Sequence, residues 1–99
     1  MPLKKDVKKI TPELIRIRRQ IHQYPERGFL EKKTAALIDK GLSSCGIKHH
    51  RLCETGVVGL IKGGKPGPTI LVRADMDGLP VLEENKISYK SKIPGVMHA

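Results

Sequence analysis

An α/β fold is predicted by two observations: two stretches with a helical spacing of apolar residues come first, and short extended stretches follow them. The last extended stretch, residues 69–74, contains the apolar run ILV, as expected of a central strand covered on both faces. Because the chain stops soon after this strand, we expect it to be a truncated piece with an incomplete sheet.

The first helix is predicted over residues 11–24. Thr11, Pro12 and Glu13 offer a hydroxyl N-cap, a proline at the first helical position and an acid in the first turn. One face carries an apolar stripe at steps of four and three residues, made of Ile10, Leu14, Ile17, Ile21 and Tyr24. Pro25 is expected to end the helix, and residues 1–10 are predicted to form a basic N-terminal tail.

The second helix is predicted over residues 29–45, with Gly46 as its C-terminal stop. Its apolar stripe comprises Thr34, Ile38, Leu42 and Cys45. From Ile47 the spacing changes, and residues 47–53, 57–62 and 69–74 are strand candidates separated by glycine- and proline-rich turns. A further short extended piece is predicted near residues 87–90.

Composition excludes several classes of protein. The formal charge of +9 is spread along the chain without interleaved aromatic residues, which argues against nucleic-acid binding. The apolar stretches are too short for a membrane span and the N-terminus is no apolar signal, so a cytoplasmic location is the expectation. A small basic α/β module that binds a partner without catalysis remains the alternative function.

The histidines and cysteines do not suggest a metal site. His49 and His50 are neighbours on a predicted strand and therefore point to opposite faces. Cys45 and Cys53 are predicted to be buried small hydrophobic residues. His22 lies beside the apolar face of the first helix, where a hydrogen-bonded packing role is expected.

The segment RADMDGLP, residues 73–80, is a stronger candidate for function. It places Asp75 and Asp77 at the C-terminal end of the predicted central strand, where open α/β sheets build their sites. Carboxylates two residues apart could equally bind a cation or cap the next loop. Glu83 and Glu84 follow in a polar stretch that we expect to be exposed and tolerant of substitution by Gln.

Four segments in order, RRQIHQYPERGFLEKKTA, ETGVVGLIKG, ILVRADMDGLPVLEEN and YKSKIPGVMHA, resemble the zinc- or manganese-dependent amidohydrolases. This family includes hippurate hydrolase, N-acyl amino acid amidohydrolase and indole-acetyl amino acid hydrolases. The resemblance covers about residues 14–99, and RADMDGLP together with the terminal GVMHA is its most specific part. Residues 11–99 are accordingly predicted to be the N-terminal portion of a metallohydrolase catalytic domain.

The resemblance also implies the residues of the site. In the family, the sequence after GVMHA continues with Cys-Gly-His-Asp, whose Cys and His bind the metal pair. Neither the metal ligands nor the catalytic Glu is therefore expected in this chain. Asp75 matches the family's aspartate near the metals and is our one candidate catalytic residue. Arg73 stands where distant relatives have a metal-binding His, and a guanidinium does not ligate.

The implied fold is a zinc-peptidase-like catalytic domain with a mixed central sheet, of which this chain is the opening part. The implied reaction is hydrolysis of an N-acyl amino acid or a related amide by water activated on two divalent ions, zinc or manganese. The complete enzyme is expected to act on a small-molecule substrate, to allow a homodimer, and to need neither nucleic acid nor membrane. The chain alone is expected to be inactive and to bind no cofactor.

Overall fold

The computed structural model describes residues 2–99. Two helices, α1 (Leu3–Gln23) and α2 (Lys32–Ser44), precede two strands, β1 (Lys48–Leu52) and β2 (Gly56–Leu60). This order of elements confirms the predicted α/β class.

The chain divides into two compact units, which are described separately below. One unit joins the chain up to Pro25 with Gly78–Ala99, and the other is Glu26–Asp77. Within residues 2–99 the buried hydrophobic core is confined to Ala35 on α2. A core this small indicates that burial of apolar surface contributes little to the stability of the isolated chain.

Helix α1 begins at Leu3, eight positions before the predicted start at Thr11. Pro12 lies inside the helix, and the Thr11 hydroxyl donates a hydrogen bond to the Val7 carbonyl at 2.7 Å instead of capping an N-terminus. An interior proline removes one helical hydrogen bond and costs about 3 kcal/mol. The apolar spacing continues upstream through Val7 and Leu3, so the predicted basic tail supplies the first turns of α1.

Helix α2 begins at Lys32, later than predicted, because Phe29 adopts a φ of 65°, which no helix accommodates. The side chain of Glu26 caps the first turn from upstream. One carboxylate oxygen accepts from the backbone N–H and the hydroxyl of Thr34, both at 2.7 Å, and the other accepts from the Lys33 N–H at 3.0 Å. Two of the unpaired N–H groups of the helix are thereby satisfied.

These bonds also affect the protonation of Glu26. Partial burial acts to raise the pKa of the Glu26 carboxyl, but the hydrogen bonds from Thr34 and Lys33 favour the charged form and hold the pKa below its usual value. The ionised carboxylate, placed at a helix N-terminus, also interacts favourably with the helix dipole.

The C-terminus of α2 is closed as predicted by Gly46, which adopts a φ of 67°. The Gly46 N–H donates to the Ser43 carbonyl at 3.0 Å, and the Ile47 N–H donates to the Leu42 carbonyl at 2.9 Å. This pair of bonds is the Schellman arrangement, and it satisfies carbonyls that the helix leaves without partners.

Strands β1 and β2 form an antiparallel hairpin in which Lys48 pairs with Leu60. The turn between them holds Cys53 and Glu54 at φ values of 52° and 68°, and α2 packs against both strands. On β2, Gly59 faces the side chain of Leu42 on α2, and an added Cβ would lie 3.4 Å from it. Gly59 therefore lies in van der Waals contact range of α2, where the hairpin packs against the helix.

The predicted central strand at residues 69–74 is wrong for the chain as the structure describes it. These residues form no strand, and Ile70, Leu71 and Val72 are 84%, 87% and 87% exposed. No residue within 2–99 pairs with this segment as a strand, so a run with strong β-propensity remains uncovered. The loop at residues 63–68 consequently connects no second hairpin.

The extended piece predicted near residues 87–90 is also wrong. The Lys90 N–H donates to the Ile87 carbonyl at 3.3 Å, which closes a turn there.

Candidate functional site

Asp75, the predicted catalytic residue, lies on the exposed segment that follows Ile70, Leu71 and Val72. Its side chain is 67% exposed, and its carboxylate forms an ion pair with the Arg73 guanidinium at 2.8 Å. The expectation that Asp75 closes a buried strand is therefore wrong for the described residues, because the preceding apolar run has no neighbouring strand. An exposed ion pair of this kind contributes little to stability.

Burial changes within a few residues after Asp75. Asp77 is exposed, whereas Gly78 is buried. Leu79 then forms an isolated antiparallel bridge with Met97, with N–H to carbonyl distances of 2.8 and 3.0 Å. This bridge ties the end of the RADMDGLP segment to the GVMHA segment, so the two most specific parts of the family resemblance are in contact.

A buried cluster centred on Glu83 is the most structured polar group of the first unit. Glu83 is 3% exposed, and the Nε2 atom of His22 lies 3.0 Å from both of its carboxylate oxygens. The Ser91 N–H donates to the same carboxylate at 2.7 Å, and the Asn85 amide donates to it at 3.1 Å. The prediction that Glu83 is exposed is wrong, whereas Glu84 is exposed as expected.

These partners set the protonation of Glu83. The Ser91 N–H and His22 donate hydrogen bonds to the charged form and lower the pKa of Glu83 to about 2. Glu83 is consequently an anion at neutral pH and cannot serve there as a general acid. His22 is 8% exposed and hydrogen-bonded, which confirms its predicted packing role.

The aromatic ring of Tyr89 completes the surroundings of His22. The two ring centroids are 6.0 Å apart at an interplanar angle of 74°, an edge-to-face arrangement. The Arg19 guanidinium lies 4.4 Å from the centroid of the Tyr89 ring. The cluster thus links α1 to the loop at residues 83–91 by a buried anion and by ring contacts.

A smaller polar cluster lies in the second unit. Asp39 on α2 accepts from the guanidinium of Arg51 at 2.7 and 2.8 Å, and the Nε2 atom of His49 lies 3.6 Å from it. His49 also contacts the Ile47 carbonyl at 2.8 Å through Nδ1, whereas His50 is exposed on the other side of the strand. These contacts fasten the hairpin to α2.

Both cysteines are exposed, which contradicts the prediction that they are buried. Cys45 is the C-cap of α2, and Cys53 lies in the hairpin turn. Helix ends and turns lie at the surface of a unit this small, so the apolar character of the thiols does not bury them.

The residues present do not fit the metal pair that the family resemblance implies. Among residues 2–99, no group of three or more His, Cys, Asp and Glu side chains is arranged to hold a metal ion. The most buried candidates, His22 and Glu83, bond to each other, and Asp75 pairs with Arg73. No catalytic step through a metal ion follows from this arrangement.

The role of Glu83 could not be found from residue type, because Glu84 beside it has the same chemistry. The one signal was its place within ILVRADMDGLPVLEEN, the segment of strongest family resemblance.

Within residues 2–99, no helix is both long and apolar enough to cross a membrane.

Comparison with known proteins identifies the chain's relatives, although no family model matches it. The chain is 46% identical over 99 residues to thermostable carboxypeptidase 1 of Saccharolobus solfataricus, covering 98% of this chain and 25% of that protein. It is 41% identical over 98 residues to an N-acyl-L-amino acid amidohydrolase of Geobacillus stearothermophilus, covering 98% of this chain and 26% of the relative.

A solved structure agrees with these relatives. A dinuclear metal-binding peptidase of the M20 family from Bacillus subtilis superimposes with a TM-score of 0.86 at 38% identity, covering 92% of this chain and 26% of that one. The chain therefore spans about a quarter of the length of the relatives that it matches. Over that length it belongs to the family of metal-dependent amidohydrolases and peptidases that includes them.

Proposed function

We propose that the chain forms the N-terminal portion of a metallohydrolase catalytic domain, at residues 11–99, whose complete form hydrolyses N-acyl amino acids. The observation that carries the proposal is the 41% identity, over 98% of this chain, to an N-acyl-L-amino acid amidohydrolase. The presence of RADMDGLP and GVMHA in contact through the Leu79–Met97 bridge supports it. The activity belongs to the complete enzyme, which carries residues that this chain does not.

Asp75 is the residue of this chain that we assign to the site of the complete enzyme. Its carboxylate is accessible and pairs with Arg73 at the surface, which leaves room for a hydrogen bond from a metal-binding side chain. A carboxylate in that position orients the ligand and increases its basicity. Asp75 is thus a positioning residue in this proposal.

The first test reads the gene immediately beyond codon 99. The proposal requires Cys-Gly-His-Asp in frame or displaced by a frameshift, because the family resemblance puts two metal ligands there. An unrelated sequence in all three frames would contradict the proposal and favour the small basic binding module. That alternative predicts binding to an anionic partner that weakens steeply with added salt.

The second test compares Asp75→Asn with Glu84→Gln in the enzyme extended by that sequence and loaded with metal. Asn keeps the shape but removes the charge, so we expect kcat on N-acetyl amino acids or hippurate to fall about 10- to 100-fold with little change in Tm. Metal content measured on the same samples should also fall.

Glu84→Gln is the matched control, because Glu84 is exposed and the same charge is removed. We expect it to retain both turnover and Tm. Equal, small effects of the two substitutions on turnover and on metal content would contradict the role of Asp75.

The finer properties of the complete enzyme are part of the same proposal. Zinc or manganese is the proposed metal, because the family resemblance implies two divalent ions of one of these elements. A homodimer and a cytoplasmic location stay predictions from the sequence. Metal-dependent turnover by the extended enzyme, assayed with each ion in turn, distinguishes the two metals.

A further inference from the structure

The loop between Leu79 and Met97 is closed on itself by successive hydrogen bonds. Its two ends meet in the Leu79–Met97 bridge. Inside the loop, the Glu83 carboxylate accepts from the Ser91 N–H at 2.7 Å, and the Ser91 hydroxyl donates to the Val96 carbonyl at 2.7 Å. Because these contacts follow one another along the loop, each one limits the positions that the next can take. We call this segment the 79–97 loop.

The last turn of α1 anchors the 79–97 loop at two separate points. Nε2 of His22 lies 3.0 Å from both oxygens of the Glu83 carboxylate. The Gln23 carbonyl, at the end of the helix, accepts from the Lys92 N–H at 2.8 Å. The Lys92 ammonium also donates to the Tyr24 hydroxyl at 3.2 Å. The helix therefore provides a rigid reference for the loop, as a site built on regular elements requires.

The chemistry of Glu83 suits orientation better than stability. Its side chain is buried, and a buried ion pair often contributes no more to stability than well-packed apolar side chains of similar volume would. A carboxylate does add direction, because its oxygens accept only from donors in a narrow range of positions. The contacts of Glu83 with His22 and Ser91 lie within one compact unit of the chain, so they do not depend on what covers its exposed surfaces.

We propose that His22, Glu83 and Ser91 are positioning residues for the site of the complete enzyme. By closing the 79–97 loop, they hold the GVMHA segment in one place and with it the start of the sequence that follows Ala99. This inference rests on the proposed function, because only in the complete hydrolase do residues after Ala99 take part in the site. None of the three residues contacts the substrate in this proposal, since they act through the backbone of the loop.

The first measurement is amide hydrogen exchange of this chain, followed by NMR at Leu79 and Met97. The N–H groups of these two residues donate across the bridge, so their exchange reports its opening. Glu83→Gln leaves a buried donor without an acceptor and loosens the loop. We expect it to speed exchange at both amides by about tenfold or more.

Glu26→Gln is the matched control for this measurement. Glu26 also accepts from two backbone N–H groups, but it does so at the start of α2. The control should lower stability without changing exchange at Leu79 and Met97. If it accelerates both amides as much as Glu83→Gln does, the bridge opens only when the whole chain unfolds, and the positioning role is overturned.

The second measurement is turnover of the enzyme extended beyond Ala99 and loaded with metal. His22→Leu removes the donor to Glu83, and we expect kcat to fall roughly 10- to 100-fold with a much smaller change in KM. His22→Gln places an amide donor near the position of Nε2 and should recover most of the lost kcat. Such recovery, measured where every variant is folded, indicates an effect of position and not of stability.

Ser91→Ala is the milder second variant, because it removes a single hydroxyl and leaves the Ser91 backbone N–H to Glu83 in place. It keeps the test decisive if His22→Leu does not fold, and it too should lower kcat more than it changes KM. The two proposals fail in different ways. An extended parent enzyme that hydrolyses no N-acyl amino acid overturns both, whereas an active parent whose kcat survives Ser91→Ala and Glu83→Gln overturns the positioning role alone.

Discussion

Replacing Glu83 by Gln exchanges one of its carboxylate oxygens for an amide that donates. In the protein both oxygens accept, from Nε2 of His22, from the Ser91 N–H and from the Asn85 amide. An amide in the same place leaves at least one buried donor without an acceptor, which is a well-known cause of destabilisation. We therefore expect Glu83→Gln to lower Tm by several degrees, measured by circular dichroism.

Glu84→Gln is the control for this substitution, because Glu84 is exposed and the change removes the same charge. It should change Tm by no more than a degree or so. A Tm for Glu83→Gln as high as that of the control would show that the buried cluster contributes nothing to stability.

The same carboxylate predicts how stability depends on pH. The pKa of Glu83 is about 2 in the folded chain against an ordinary value of 4.5, so the unfolded state binds the proton more tightly. The stabilisation from Glu83 is therefore complete above about pH 4.5 and is lost as the pH falls towards 2. We expect the parent chain to lose more stability across this window than Glu83→Gln does.

Urea denaturation at a series of pH values measures this difference. Glu13 and Glu26 also have pKa values held low, by a hydrogen bond from Arg16 and, against the opposing effect of burial, by bonds from Thr34 and Lys33. Both are present in each protein, so the difference between parent and variant isolates Glu83. Parallel pH profiles for the two would contradict the low pKa of Glu83.

For single residues, the sequence predicted which helix face a side chain lies on, but not whether distant residues bury it. The helical stripe placed His22 beside an apolar face, and its packing role followed. The sequence could not separate Glu83 from Glu84, because burial is decided by contacts 61 residues apart along the chain. The same limitation applies to Asp75, whose expected burial depended on neighbours outside the local segment.

Among the elements, α2 has two glycines, Gly41 within it and Gly46 just after it, at which substitution by alanine should have opposite effects on stability. Gly46 has a φ of 67°, a conformation in which a Cβ is strained, whereas Gly41 lies within the helix with open space around it. Gly46→Ala should therefore destabilise the chain by roughly 1 kcal/mol, and Gly41→Ala should stabilise it by about 0.5–1 kcal/mol. Urea denaturation followed by far-UV circular dichroism measures both free energies of unfolding.

The two changes add the same methyl group, so they control for each other. Effects of the same sign would show that the Schellman closure of α2 is not formed in solution. This closure was predictable, because a glycine after an apolar helical stripe has few other roles.

The start of α1 was not predictable from the same kind of signal. Thr11, Pro12 and Glu13 are typical of a helix N-terminus. The apolar spacing of α1 nevertheless begins upstream, at Leu3 and Val7, and continues past them. The capping residues report a local preference, whereas the spacing reports a whole face. Here the apolar spacing of the whole helix face decided where α1 begins, and the local N-terminal signal at Thr11, Pro12 and Glu13 did not.

At the scale of the whole molecule, the described residues contain almost no buried hydrophobic core. The described chain buries one hydrophobic residue, Ala35, while its polar contacts are numerous. The α/β class and the order of helices before strands were predictable, because both depend on spacing along the chain. The sheet was not, because a strand at residues 69–74 needs partners to pair with it.

The exposed run Ile70, Leu71 and Val72 leads to the last prediction. A short segment of high β-propensity without charge or proline, open to solvent, is a template for pairing with another chain. We expect the purified chain to be marginally stable and to aggregate on warming, with Leu71→Lys slowing the aggregation severalfold. A lysine in the run interrupts the apolar surface and adds repulsion between stacked copies.

Ser43→Lys separates the effect of position from the effect of charge, because it adds the same charge at an exposed site on α2. Light scattering during a thermal ramp, run on the three proteins at equal concentration, provides the comparison. If the two lysine variants were protected equally, net charge would account for the result and the run would not be the site of aggregation. A sharp, cooperative transition without scattering in the parent chain would show that this fold, with its single buried alanine, is nevertheless a stable domain.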